Sequence, residues 1–196
     1  EQLSTTDGPI HSPSAWSPDS TTLFFSLFRS YTRQAVAAVT PPDRTVRVLL
    51  DGDFAQFEPQ LSPDGRWLAY QSSESGRIEV MVRPYPDVTG GRWQISTAGG
   101  SSPRWSPDGR ELLFMDGTGL AAMPVTPGAT FMVARIRRLF EIAPYGTRLG
   151  ADYEVSPDGR RFLFVLDQPP PPRRPTHLVV VQHWGDDVRR RVAEGR

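Results

Sequence analysis

A five-residue word, Ser-Pro-Asp-Gly-Arg, recurs at residues 62–66, 106–110 and 156–160, and a degenerate copy, Ser17-Pro18-Asp19-Ser20, precedes them. The leading serines are 45, 44 and 50 residues apart. Self-similarity at a period of about 40–50 residues in a strand-rich chain is the mark of propeller blades, each repeat being one small sheet. Within the word, proline presets φ for the second position of a tight turn. Aspartate can bond nearby backbone, and glycine supplies a left-handed residue. Asp19, Asp64, Gly65, Asp108, Gly109, Asp158 and Gly159 are therefore read as structural turn residues, and the glycines are expected at positive φ.

The flanks of each word read as strands. An apolar anchor precedes it (Trp16, Leu61, Trp105, Val155), and an apolar run follows at residues 23–25, 67–70, 112–114 and 162–165. Third strands are expected at 78–82, 120–125 and 178–181, and outer strands at 46–50, 93–96 and 136–140. Four antiparallel strands per unit make a blade. The chain is thus expected to be all-β, a propeller of about four visible blades belonging to a parent of six to eight. The units run 11–50, 51–96, 97–141 and 142–184. Residues 1–10 close a preceding blade, the 142–184 unit lacks its outer strand, and 185–196 form a polar helix or tail. Trp16, Trp67 and Trp105 are assigned to the core, with Trp93 and Trp184 partly exposed.

Composition removes whole classes of chemistry. The 196 residues contain no cysteine, so disulfides, thiolate nucleophiles and iron–sulfur clusters are excluded. All basic side chains are arginine, 22 of them against 22 acids, and this zero net charge argues against a nucleic-acid surface. No apolar run approaches the length of a membrane span. No Gly-x-Ser-x-Gly elbow and no phosphate loop occurs, so no catalytic residue and no cofactor is assigned. The repeat-locked aspartates are not a metal set. Asp51-Gly52-Asp53 lacks the remaining ligands of a calcium loop, and His11, His177 and His183 have no ligand-like spacing. Pro169 to Pro172 read as a surface loop, and Arg189 to Arg191 as the end of a short helix.

The repeats resemble those of TolB-like, WD-like propellers of the PD type. The stretch Val82-Arg83-Pro84-Tyr85-Pro86, with Gly91 to Ser96 and Gly99 to Gly109, resembles propellers fused behind bacterial serine/threonine kinases or winged-helix regulators. The ending from Leu178 to Trp184 resembles their C-terminus, with Gln182-His183 in place of the usual Leu-Asn. The resemblance implies a sensor or scaffold and carries no catalytic residue.

The expected function is therefore non-catalytic binding of a protein or small-molecule ligand within a bacterial signalling protein. Binding is expected on loops 5–12, 51–57, 97–102 and 142–151, which gather at one face. Within them His11, Asp53, Ser101 and Arg148 are the candidate contacts. The alternatives are a gating propeller of a prolyl-oligopeptidase-like hydrolase and a TolB-like periplasmic scaffold. The resemblance implies an extracytoplasmic location, or a cytoplasmic one for the winged-helix type.

Overall fold

Each copy of the repeated word closes the same hairpin turn in the computed structural model, which describes residues 10–41, 45–117, 119–126, 130–142 and 153–164. The amide of Gly65, Gly109 or Gly159 donates to the carbonyl of the serine three residues earlier at 2.8 Å. Those glycines sit at φ 73°, 69° and 69°, and Ser20 holds the same left-handed place at φ 58° without a glycine's freedom. The serine hydroxyl works twice. Ser62 Oγ donates to Asp64 Oδ1 at 2.6 Å and accepts the Trp67 amide at 2.9 Å. Ser106 does the same toward Asp108 and Glu111. Each aspartate also accepts a backbone amide two residues on, at 3.1 Å in every copy. These donated bonds, the serine hydroxyl's foremost, hold the Asp19, Asp108 and Asp158 carboxyls below the ordinary carboxylate value.

Among the described residues the chain forms fourteen strands. The first sheet is β1 (Ile10–Trp16), β2 (Leu23–Ser30), β3 (Arg33–Val39) and β4 (Val46–Leu50); the second is β5 (Gln56–Leu61), β6 (Trp67–Ser72), β7 (Glu79–Pro84) and β8 (Trp93–Gln94). The third is β9 (Ser101–Trp105), β10 (Glu111–Asp116), β11 (Gly119–Pro124) and β12 (Arg137–Glu141), and β13 (Tyr153–Val155) pairs with β14 (Phe162–Phe164). Each sheet is an antiparallel meander in sequence order, and among the described residues no element is a helix. β8 stops two residues short of the expected 93–96 strand. There the Ser96 hydroxyl, not a carbonyl, takes the Val80 amide at 2.8 Å, and the ladder ends. β3 is not singled out by the sequence, because Gln34-Ala35-Val36-Ala37-Ala38 carries a single β-branched residue, no aromatic and much alanine. The expected strand at 178–181, the tail at 185–196, Trp184, His177 and His183 lie outside the described residues, as do 1–9.

Register fixes which sheet each side chain meets. The anchors Trp16, Leu61, Trp105 and Val155 stand opposite Leu23, Leu68, Leu112 and Phe162. The next residue along, Phe24, Ala69 or Leu113, points to the following sheet, since successive strand side chains alternate faces. Phe24, Val36, Ala38 and Leu50 thus pack on Leu61, Leu68, Tyr70 and Met81. Ala69, Val80, Val82 and Ile95 pack on Leu112, Phe114, Ala121 and Met123. Leu113, Met115 and Leu120 pack on Tyr153, Phe162 and Phe164. Among the described residues three sheet-on-sheet interfaces follow in series, so neighbouring blades stabilise one another.

One core assignment is corrected. Trp67 and Trp105 are buried, whereas Trp16 is 50% exposed. The reason is neighbourly: the Trp105 indole donates to the Gln60 carbonyl of the preceding sheet at 3.0 Å. No described sheet precedes β1 to receive Trp16 in that way.

Candidate functional site

The first strands of successive sheets are neighbours, β1 beside β5, β5 beside β9 and β9 beside β13. Their convergence makes the axis of the arrangement. Prolines sit well in these sheet-edge strands, at Pro13, Pro59 and Pro103, because an edge needs no ladder donor on its open side. Bonds between sheets lock the strands together: Gln60 Nε2 donates to the Ser14 carbonyl at 3.1 Å, and the Glu58 amide to Ser26 Oγ at 2.9 Å. Glu58 and Ser102 each lie at a bulge with φ 51°. The repeat of this left-handed residue in two sheets marks it as blade geometry, one that tips the inner strand toward the axis.

Where the strands meet lies an open cavity of about 390 Å³. Glu58 and Gln60 of β5, Arg104 of β9, and Tyr153 and Glu154 of β13 line it, with Leu163 of β14 and residues 12–14 of β1. The Arg104 guanidinium lies 5.8 Å from the Tyr153 ring centroid, a cation–π distance. Its Nε is 3.6 Å from Glu154 Oε1, an ion pair too long to be a hydrogen bond, and Nε has no hydrogen-bond partner among the described residues. Tyr153 is 1% exposed, and its hydroxyl also lacks a partner among the described residues. Burial holds this phenol well above its ordinary pKa, so it remains a donor throughout the working pH range. Leaving a buried hydroxyl unpaired costs on the order of 1–3 kcal/mol, which is the signature of a group awaiting a partner.

The candidate contacts read from the sequence lie elsewhere. His11 is within β1, not on a loop before it, and its ring packs on Phe25 with centroids 5.2 Å apart. Asp53 is exposed in the β4–β5 connection, and Ser101 opens β9, half-buried. None of the three lines the axial cavity. Arg148, like the rest of 143–152, is outside the described residues. The cavity residues do leave a trace in the sequence. Gln60, Arg104 and Glu154 each occupy the position just before the anchor, a polar slot that recurs with the repeat while its residue type varies.

Among the described residues no group of three or more His, Asp or Glu could hold a metal ion. No helix there is long and apolar enough to cross a membrane. Neither finding assigns a function.

No protein-family model and no curated protein sequence matches the chain. Solved structures share its fold. TolB from Acinetobacter baumannii aligns over 84% of this chain and 39% of its own, with TM-score 0.63 and 20% identity. A protein assigned as TolB from Agrobacterium tumefaciens aligns over 69% and 51%, with TM-score 0.54 and 21% identity. The periplasmic gluconolactonase of Pseudomonas aeruginosa aligns over 79% and 46%, with TM-score 0.50 and 20% identity. The chain therefore has a TolB-like β-propeller fold, and it spans about half or less of the length of these structures.

Proposed function

We propose that the chain is a non-catalytic binding module, part of a larger propeller that serves as the sensor or scaffold of a bacterial signalling protein. One observation carries the reading. Three successive inner strands deliver Glu58, Arg104, Tyr153 and Glu154 to one cavity, and the buried hydroxyl of Tyr153 has no partner among the described residues. A cavity of about 390 Å³ lies within the roughly 300–1,000 Å³ usual for small-ligand sites. Its serines, Ser12 and Ser14, have no histidine among the lining residues to activate them. His11, Asp53, Ser101 and Arg148 are kept as further proposed ligand contacts.

The kinase-associated context rests on the likeness of residues 82–109 to propellers behind bacterial kinases. The extracytoplasmic location rests on the same likeness and on the periplasmic gluconolactonase of matching fold. The test is turnover. Offered a sugar lactone, a prolyl peptide and ATP, the chain should consume none of them above the uncatalysed rate. Turnover abolished by Arg104→Ala or Glu58→Gln would overturn the binding-module reading.

A further inference from the structure

The chemistry of the axial cavity narrows what it can hold. Its charged members are two carboxylates, Glu58 and Glu154, and one guanidinium, Arg104. The guanidinium is already engaged by Glu154 at 3.6 Å and by the Tyr153 ring. A carboxylate or phosphate ligand would add negative charge to a cluster whose formal charge is already negative by one, so an anion is opposed. An ammonium ligand meets the reverse difficulty. Glu58 and Glu154 would accept from an ammonium, yet it can accept nothing from Tyr153 O–H and Arg104 Nε–H, two donors without hydrogen-bond partners among the described residues.

A hydroxyl resolves both difficulties at a single atom. It accepts from Tyr153 or Arg104 and donates to a glutamate, with no net charge. Several hydroxyls on one rigid frame would use the donors and acceptors that line this wall. Leu163, 70% exposed at the cavity, supplies an apolar surface for C–H groups between the hydroxyls. Gln60 and Ser14, which also line the cavity, are hydrogen-bonded to each other, so that part of the wall is preorganised. On the reading of the chain as a binding module, we infer that the axial cavity binds a neutral polyhydroxylated ligand, a mono- or disaccharide, held by Tyr153 and Arg104 as donors and by Glu58 and Glu154 as acceptors.

Saturation-transfer NMR on the 196-residue chain tests this. The probes are glucose, N-acetylglucosamine, maltose and cellobiose as neutral sugars, glucuronate as the anion, glucosamine as the cation, and a blocked tetra-alanine peptide. At least one neutral sugar should show transfer and bind more tightly than its charged counterparts. Tyr153→Phe keeps the ring and removes only the hydroxyl, so it should weaken that sugar about tenfold, the scale of one lost hydrogen bond in a buried site. The same variant should unfold at an equal or higher denaturant concentration, since it deletes an unpaired buried polar atom. Arg104→Met offers a second variant with similar bulk and the same expected loss of sugar binding.

Transfer to glucuronate, glucosamine or the peptide in preference to the neutral sugars would overturn the inference and leave the binding module standing. So would transfer to no probe, or full sugar affinity in both variants. Conversion of a probe, by contrast, would count against the binding-module reading itself.

Discussion

Phe114→Ala should lower the unfolding free energy by about 4 kcal/mol, the range for removing a fully buried phenylalanine from a packed core. Phe114 is 1% exposed and belongs to the interface of the second and third sheets, among Ala69, Val80, Val82 and Met123. The truncation opens a hole that strands on both sides hold apart, since their ladders fix the sheet spacing. The same kind of change at Leu163, which is 70% exposed, should cost less than about 0.5 kcal/mol. Urea unfolding measures both as shifts in midpoint at constant slope. A Phe114→Ala loss below about 1 kcal/mol would mean that the sheets do not pack on each other as described.

Glu79→Ala should cost about 3 kcal/mol, the sum of a lost charge-assisted bond and the groups it leaves unpaired. The Glu79 carboxylate is 2% exposed. It accepts from the Ser96 hydroxyl and, at 3.1 Å, from the Gly99 amide, and Arg77 Nε lies 3.4 Å away. Ser96 Oγ in turn takes the Val80 amide. One side chain therefore ties β7 to the 96–99 segment that leads into β9. Gln in its place keeps the shape and one acceptor, so Glu79→Gln should lose only about 1 kcal/mol. Equal, small losses in both variants, read by urea unfolding, would show that this tie is not a stabilising element.

The turn and the strand after it were legible because their physics is local. Pro63, Asp64 and Gly65 each have a backbone reason to be there, and the copies confirm one another at fixed spacing. The outer strand at Val46–Leu50 was legible for the same reason, as a β-branched run between turn signals. Trp16 was misplaced because a tryptophan's burial depends on what stands across from it. Its sequence surroundings match those of Trp105, which has a preceding sheet to pack on. The axial cavity was missed for a related reason. Glu58, Arg104, Tyr153 and Glu154 come from three repeats and share no word, so only the convergence of β5, β9 and β13 brings them together. A general rule about scaffolds points to His11, Asp53 and Ser101 as loop contacts, yet His11 and Ser101 lie in strands, and the cavity is lined by other strand residues.

Thiol protection tests most directly whether ligand occupies the axial cavity and not the loop face. The chain has no cysteine, so Leu163→Cys and Asp53→Cys each introduce a single reporter, one at the cavity wall and one on the β4–β5 connection. The alkylation rate of each is measured with and without a saturating amount of whichever probe shows saturation transfer. Ligand in a concave site is largely enclosed, so the thiol at 163 should react about tenfold more slowly when it is bound, and the thiol at 53 at nearly the same rate. Protection at 53 with none at 163 would contradict the axial site and return the binding surface to the loops.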